Sequence, residues 1–342
     1  MRVAITADPY LPVPPRLYGG IERVVAMLVA GLIRRGHQVT LIAHPDSHTP
    51  APLIPYGVPP HRSMYARSLE LVQVSRALLA MRAHLDVIHS FGRLAALGPL
   101  LPIRAVAKIQ SYQRAVPWSG VRRAARLARG SLSFTGCSTS LYTSNRDGSV
   151  HTRWRTVFNC VDPSAYIAVT TLRNDAPLAF LGRIERIKGT HTAIQIAKAA
   201  GRPLIIAGNV ADPHYFRAEV VPHLDDRRVT YLGEVDDAAK NRLLGDAVAL
   251  LMPIEWEEPF GIVMAEAFAC GTPVIGFARG SVPEIVRDRR NGFVVKDADA
   301  AVRAVARLSE IDRAGVRRDC EQRFSCEAVV SAYEHIYQEA IG

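Results

Sequence analysis

The chain has few cysteines, and their spacing fits neither a disulfide framework nor a metal motif. Cys137, Cys160, Cys270, Cys320 and Cys326 are odd in number and scattered, with no C-x-x-C pair. This distribution argues against structural disulfides and against a cysteine-ligated zinc site. We therefore expect buried, reduced thiols.

The chain also lacks a long apolar run. No stretch reaches the roughly 18–20 apolar residues that span a bilayer. The first residues, MRVAITADPY, have the pattern of a buried strand, without the apolar core and cleavage site of a signal peptide. These absences predict a cytoplasmic protein. With 342 residues, 49% hydrophobic and 22% charged, the chain is expected to form two globular domains.

Negative charge is scarce in the first half. Residues 1–161 contain 20 Lys and Arg against 6 Asp and Glu, a formal charge of +14, whereas the remainder has 22 against 26, or −4. This asymmetry suggests an anionic partner for the first half or a charged interface between the halves. No helix-turn-helix, RNP or zinc-knuckle pattern supports a nucleic-acid partner. The basic segment GVRRAARLARG, residues 120–130, could make a weak peripheral membrane contact, but a solvated face is favoured.

Short β-branched runs alternate with helical patterns along the whole chain. In the first half the runs are RVAIT, QVTLIA, DVIHS, RAVAKI and SLSFTG, and in the second half PLAFLG, PLIIAG, RVTYLG, AVALLMP, TPVIGF and GFVV. This alternation predicts an α/β protein with two doubly wound, Rossmann-like parallel sheets facing each other across a cleft.

The alternation breaks near VFNCVDPSAY, residues 157–166. We therefore place an N-terminal domain at residues 1–161 and a C-terminal domain at residues 162–325. The amphipathic final segment, residues 326–342, is expected to cross back to the first domain. Ligands of such sheets bind at the carboxyl ends of the strands.

Two loops carry features suited to a phosphate group. Gly19 and Gly20 stand between the first strand and a helix, so their amides could contact an anion, although a tight connection explains them equally well. In FLGRIERIKG, Arg183 and Lys188 follow a strand and precede a helix, which suits a diphosphate clamp. The alternative is that these are surface cations, with Glu185 and Arg186 paired to each other.

A second candidate site lies in EEPFGIVMAE, residues 257–266. Glu258 ends a loop and Glu266 lies about two helical turns further on, so both could hydrogen-bond hydroxyl groups of one ligand. PFGIVMAEAFACG is expected to form a helix with Pro259 near its first turn, which leaves the amides of Phe260, Gly261 and Ile262 as donors. Either glutamate alone would be assigned a structural role; the combination favours a clamp on a sugar nucleotide.

The block EEPFGIVMAEAFACGTPVIGFARGSVPEIV resembles the E-x7-E region of the retaining glycosyltransferases of family 4, which have the GT-B fold. Other blocks resemble the same family in the same order: YGGIERVVAMLVAGLIRRGHQVTLIA, FNCVDPSAY, FLGRIERIKG and VTYLGEV. The resemblance covers nearly the whole chain. A narrower similarity is to glycosyltransferases of orthosomycin antibiotic pathways.

The resemblance implies a role for each matching residue. Gly19 and Gly20 would approach the diphosphate, Arg183 and Lys188 would neutralise it as it leaves, and Val235 would meet the base. Glu258 would contact the hydroxyls of the donor sugar and Glu266 those of the ribose. Backbone amides for the sugar and phosphate would come from Phe260, Gly261 and Ile262.

Some positions depart from the family pattern. Gln110, in KIQSY, stands where many members have a histidine, and is a candidate substitute for it. His89, in DVIHSF, matches the first member of a common H-x-H whose second member is Phe91 here; a structural histidine is the alternative. At the predicted edge of the nucleotide site, Gly208-Asn209 stands where family members usually have G-x-G.

The sequence therefore predicts a retaining transferase that moves a sugar from a nucleoside diphosphate donor (UDP, dTDP or GDP) to an acceptor hydroxyl. The acceptor would be a small molecule or a glycan, plausibly in antibiotic or other glycoconjugate biosynthesis. No D-x-D pair occurs in the first half, so no metal or other cofactor is expected. The alternatives are a sugar-nucleotide epimerase of the same shape and a non-catalytic nucleotide-sugar-binding protein.

Overall fold

A computed structural model of the protein describes residues 1–15, 19–57, 64–143, 152–225 and 227–342. The chain divides into two compact units. Unit 1 comprises Met1–Cys160 and Cys326–Gly342, and unit 2 comprises Val161–Ser325. Val161 pairs with Ser325 in an isolated bridge, which places it in unit 2, one residue before the boundary proposed from sequence.

Unit 1 is a parallel sheet covered by helices. Its strands are β1 (Arg2–Thr6), β2 (Gln38–Ala43), β3 (Leu53–Pro55), β4 (Val87–Ser90), β5 (Ala107–Tyr112), β6 (Leu132–Gly136) and β7 (Trp154–Thr156), in the order β3-β2-β1-β4-β5-β6-β7. Its first helices are α1 (Gly20–Arg34), α2 (Met64–Met81), α3 (Trp118–Ala128) and α4 (Ser140–Thr143). The sequence pattern missed β3 and β7, which have three residues each at the sheet edges.

Unit 2 repeats the design. Its strands are β8 (Leu178–Leu181), β9 (Leu204–Ala207), β10 (Val229–Tyr231), β11 (Ala249–Met252), β12 (Val274–Phe277) and β13 (Gly292–Val295), in the order β10-β9-β8-β11-β12-β13. Its helices are α5 (Thr190–Ala199), α6 (Pro213–Tyr215), α7 (Asp237–Asp246), α8 (Ile262–Ala269), α9 (Val282–Ile285), α10 (Ala298–Val305) and α11 (Arg313–Phe324). Both units are doubly wound parallel sheets, as predicted.

The last helix, α12 (Cys326–Ile341), completes the core of unit 1. Its buried face includes Val330, Tyr333 and Tyr337. Val330 packs so closely on Gly31 of α1 that a Cβ at Gly31 would overlap with it. The crossover to the first unit that the amphipathic pattern predicted is therefore present, and it is made by apolar packing.

The sheet order fixes where ligands can approach. In each unit the strand order reverses beside the first strand, between β1 and β4 in unit 1 and between β8 and β11 in unit 2. Loops that leave adjacent strands in opposite directions at such a point open a crevice at the carboxyl ends. Among the described residues, no helix is long and apolar enough to cross a membrane.

Candidate active site

The loops after β8 and β11 meet in unit 2. The amide of Glu255 donates to the carbonyl of Ile187 over 2.8 Å. Gly189 has a φ of +74°, and a Cβ there would overlap with the backbone of Pro253. Only glycine allows this approach. The adjacency of the two strands thus joins the predicted cation loop to the predicted glutamate loop.

Lys188 and Glu258 form an ion pair at this junction. The Nζ of Lys188 lies 2.5 Å from Oε2 of Glu258, and both side chains are largely buried. The indole N–H of Trp256 donates to the same oxygen over 3.1 Å, and its ring centroid lies 4.6 Å from the ammonium. Trp256 therefore contacts both members of the pair. The structure thus brings together two predicted site residues that are 70 positions apart in the sequence.

The loop that carries Glu258 is held by residues 280–281. The amide of Ser281 donates to the carbonyl of Glu258 over 2.9 Å, and its hydroxyl donates to the carbonyl of Phe260 over 2.9 Å. Gly280 has a φ of +53°, and a Cβ there would overlap with the backbone of Glu258. The backbone position of Glu258 thus depends on a glycine 22 residues away.

Helix α8 begins later than predicted. Gly261, with a φ of +70°, is its N-cap and Ile262 its first residue. Pro259 lies before the helix, so the predicted helix start at PFG is wrong. The left-handed Gly261 separates Pro259 from the first residue of the helix. Among the described residues no side chain caps α8. The amides of its first turn therefore have no side-chain acceptor there.

Glu266 lies in α8 and is held by two donors. Its Oε1 accepts hydrogen bonds from the Tyr166 hydroxyl at 2.9 Å and from Lys240 Nζ at 2.7 Å. Burial and the Glu266 carboxylate raise the pKa of Tyr166, which keeps the phenol protonated. Burial opposes the charge of Lys240, but Glu266 and Asp237 outweigh it and raise the pKa of Lys240.

In Glu258 and in Glu266, the described residues donate hydrogen bonds to only one of the two carboxylate oxygens. Within the described part of the chain, the hydrogen bonds to Glu258 all reach Oε2, and those to Glu266 all reach Oε1. The protein's donors thus fix each carboxylate while its second oxygen accepts none of them. A carboxylate has about four lone-pair sites, so each can still accept bonds from hydroxyl groups.

Arg183 and Arg186 belong to separate ion pairs. Nη2 of Arg183 lies 2.7 Å from Oε1 of Glu185, and Arg186 lies 3.0 Å from Glu219. The alternative pairing of Glu185 with Arg186 is therefore wrong. Arg183 is 41% exposed, which leaves its guanidinium accessible to an anion.

The other residues predicted near the nucleotide, Gly208, Asn209 and Val235, lie in or beside the loops that carry Arg183 and Lys240. Gly208 has a φ of +135°, and a Cβ there would overlap with Gly182. The carbonyl of Asn209 accepts from the amide of Ile184 over 2.8 Å, so both residues support the loop that carries Arg183. Val235 is half-buried and directly precedes Asp236, the N-cap of the helix that carries Lys240.

In unit 1, a buried carboxyl group lies in the first turn of the helix that Gly19 caps. Gly19 is the N-cap of α1 and Gly20 its first residue. A Cβ on Gly19 would lie 2.9 Å from Oε2 of Glu22, in the first turn. Glu22 is buried, and burial followed by the proximity of Asp8 raises its pKa.

His89 and Gln110 lie on adjacent strands but have different surroundings. His89 is fully buried, with Nδ1 2.6 Å from the hydroxyl of Tyr337 and Nε2 2.6 Å from that of Ser111. Burial lowers its pKa to about 3. These bonds fit the structural interpretation of His89. Gln110, by contrast, lines a cavity of about 1040 Å³ within unit 1.

The sequence analysis missed residues that only the fold brings to these sites. Tyr166 and Lys240 are 100 and 26 positions from Glu266. Trp256, two positions before Glu258, was not assigned to the site from sequence. Asp8, directly after the first strand, could have been found from its place at a strand end. Among the described residues, no group of three His, Cys, Asp or Glu could hold a metal ion.

Two family models match most of the chain between them. The one described as Glycosyltransferase Family 4 matches residues 18–165, and the one described as Glycosyl transferases group 1 matches residues 168–323. Alpha-maltose-1-phosphate synthase of Mycolicibacterium smegmatis is 26% identical over an alignment that covers 99% of both chains. N-acetyl-alpha-D-glucosaminyl L-malate synthase of Bacillus anthracis is 33% identical over 127 residues, 35% of this chain and 32% of that relative.

Solved structures share the fold over the whole length. AviGT4, a glycosyltransferase involved in avilamycin A biosynthesis, has a TM-score of 0.72 and 26% identity, covering 99% of this chain and 98% of its own. Anabaena Alr3699/HepE in complex with UDP-glucose has a TM-score of 0.71 and 16% identity, covering 99% and 100%. Together with the family models, these neighbours show an enzyme that transfers sugar. The chain belongs to the family 4 glycosyltransferases and has the GT-B fold, as predicted.

Proposed function

We propose that the protein is a retaining, metal-independent transferase. It would move a sugar from a nucleoside diphosphate donor, of the UDP, dTDP or GDP type, bound to unit 2, to an acceptor hydroxyl bound to unit 1. The observation that carries this proposal is the pair of anchored glutamates, each with one carboxylate oxygen free of protein donors. That arrangement suits hydroxyl groups on two parts of one ligand.

Each residue then has a distinct role. Glu266 accepts hydrogen bonds from the ribose hydroxyls, and Glu258 accepts them from the donor sugar. Lys188, which shares only one of its three ammonium donors with Glu258, and Arg183 face the diphosphate. The amides at the start of α8 add further donors beside the phosphate and the sugar.

The reaction requires stabilisation of a departing anion. The bond from the anomeric carbon to the diphosphate breaks and the diphosphate keeps the electron pair. The acceptor oxygen bonds to the same face of the sugar and passes its proton to the departing diphosphate. Preorganised cations and amides stabilise the charge that develops on the leaving group. We assign this task to Lys188, Arg183 and the α8 amides, and no covalent nucleophile is needed in the scheme.

The comparisons support the donor class and a biosynthetic role. A neighbour of the same fold is in complex with UDP-glucose, and the 26% identical AviGT4 is involved in avilamycin A biosynthesis. We extend both to this chain as part of the proposal: a nucleotide sugar as donor, and antibiotic or other glycoconjugate biosynthesis as the setting.

One assay separates this function from its alternatives. Purified protein is incubated with each nucleotide sugar, with and without candidate acceptors, in EDTA and in Mg²⁺. We expect nucleotide release that depends on the acceptor and survives EDTA, with a product whose anomeric configuration, read by NMR, is that of the donor. Donor epimerisation without acceptor would indicate the epimerase. Binding without turnover would indicate a non-catalytic protein, and loss of activity in EDTA with recovery on Mg²⁺ would overturn metal independence.

A further inference from the structure

The cavity of unit 1 lies at the switch point of its sheet. It is about 1040 Å³ in volume and is lined by the residues that follow β1, β4 and β5 together with the faces of α1 and α3. Asp8 follows β1, Arg93 follows β4, and Gln110 lies in β5. This is the position at which doubly wound sheets bind ligands.

Four buried polar atoms on this cavity have no hydrogen-bond partner among the described residues. They are Oδ1 of Asp8, Oε1 of Gln110, the hydroxyl of Tyr112 and Oε1 of Gln113. Gln110 is 1% exposed and Tyr112 8%. Buried polar atoms are nearly always paired in folded proteins, so a set without partners on one cavity points to a ligand. Three of the four are acceptors, and their complement is a molecule with several hydroxyl donors.

The same cavity carries three arginines beside the carboxyl groups of Asp8 and Glu22. Arg123 of α3 lines it and, within the described residues, forms no ion pair; its Nε donates to the carbonyl of Ser119 over 3.2 Å. Arg114 lies 3.9 Å from its nearest carboxylate, Asp8. Arg93 differs, since it lies 3.6 Å from Glu70. The free ends of Arg114 and Arg123 suit a phosphate or a carboxylate.

We propose that this cavity binds the acceptor, and that the acceptor is a small polyol that carries an anionic group, a phosphate or a carboxylate. The hydroxyls bond to Asp8, Gln110 and Gln113, and the anion lies against Arg114 and Arg123. This inference rests on the proposed transferase function and adds the chemical class of its acceptor. A neutral sugar acceptor is the alternative that the test must distinguish.

Matched ligand pairs test the anionic group. Calorimetry on the full chain compares glucose with glucose 6-phosphate, glycerol with glycerol 3-phosphate, and glucose with glucuronate. We expect the charged member of at least one pair to bind at least about tenfold more tightly than its neutral partner. The phosphate and carboxylate arms show which anion is preferred.

Matched variants test the residues. R123Q should remove most of the preference for the charged member while changing the affinity for the neutral one less than about twofold. R126Q is the control, because Arg126 lies on the same helix, exposed, but does not line the cavity. Q113L should weaken both members of a pair, since it removes an acceptor for hydroxyls.

Three results would overturn the proposal: equal affinities within every pair, no binding by any member, or equal effects of R123Q and R126Q. UDP titrations of the same samples distinguish failure of the acceptor proposal from failure of the proposed transferase function. Normal UDP binding with no preference for charged ligands rejects the acceptor class alone. Failure to bind UDP or any other nucleotide rejects the transferase assignment for unit 2.

Discussion

The two units share a topology but treat polar groups at their switch points differently. In unit 2 the charged side chains are paired: Lys188 with Glu258, Lys240 with Glu266 and Arg183 with Glu185. In unit 1 the cavity presents Asp8, Gln110, Tyr112 and Gln113 with atoms that lack partners among the described residues. Unit 2 is organised before a ligand arrives, whereas unit 1 leaves hydrogen bonds for a ligand to make.

The contrast extends to the two glycine-capped helices. Gly19 starts α1, whose first turn contains the buried carboxyl of Glu22. Gly261 starts α8, whose first turn contains no acidic residue. A helix N-terminus favours negative charge. The first turn of α1 already contains an acidic side chain, whereas that of α8 contains none, so we assign the phosphate to α8. Diphosphate binding therefore belongs to unit 2 in our proposal.

The largest effect is expected when the ammonium group of Lys188 is removed. Lys188→Ala should lower turnover by roughly 10²–10³, the scale for losing one preorganised electrostatic donor. Steady-state kinetics with saturating donor and acceptor would measure it. The control is Arg186→Ala, on the same short turn but paired with the exposed Glu219, which should change turnover little. Equal losses would indicate a disturbed loop and contradict a specific role for Lys188.

Glu258→Ala should lower turnover roughly 10–100-fold, because hydrogen bonds to a charged group contribute about 1.5–3 kcal/mol. The affinity for free UDP should change less than about twofold, since the partners of Glu258 are on the sugar. Kinetics and UDP calorimetry would be compared with Glu255→Ala, whose carboxylate lies beside His191. A parallel loss of nucleotide affinity would refute the division of labour between Glu258 and Glu266.

Glu266→Gln should weaken UDP binding by about 1.5–3 kcal/mol. The amide can still accept from Tyr166, so the variant tests the ribose contact with little change in packing. The same substitution should matter much less for 2′,3′-dideoxyuridine diphosphate, which lacks the ribose hydroxyls. Calorimetry of the wild type and the variant, each with UDP and with the dideoxy analogue, gives the coupling free energy between Glu266 and the ribose hydroxyls. A coupling near zero would remove Glu266 from the ribose site.

A prediction of a different kind concerns the stability of unit 1. His89 is neutral in the folded state because burial lowers its pKa to about 3, whereas in the unfolded chain it takes up a proton below about pH 6.5. The unfolded state then binds more protons, so the free energy of unfolding falls as the pH falls from about 6.5 towards 3, by about 1.4 kcal/mol per pH unit.

Urea unfolding at pH 7, 6 and 5 checks this prediction against His89→Gln. The variant should lose less stability than the wild type over the same pH range, because glutamine does not titrate. Indistinguishable pH dependences would show that His89 is not held neutral by the core.

The local pattern of the sequence was sufficient to predict most of the fold. Short apolar, β-branched runs marked the longer strands, because strands of a parallel sheet that is covered on both faces are apolar along their length. The short edge strands β3 and β7 escaped prediction because three residues carry little periodicity. The start of α8 was misplaced because proline is compatible with a first helical turn, and the left-handed conformation of Gly261 is not visible in its residue type alone.

The sequence by itself determined which residues are candidates for the site. Lys188 and Glu258 follow from their positions between a strand and a helix, and Glu266 from its place about two helical turns after Glu258. Each residue alone would be assigned a structural role, and their combination made them candidates. The tertiary structure decided what these residues contact. Tyr166 and Lys240 reach Glu266 from segments 100 and 26 residues away. Trp256 contacts both Lys188 and Glu258 because the strand order places β8 beside β11, although 67 residues of chain separate them. Such neighbours are set by long-range strand pairing, which no local pattern encodes.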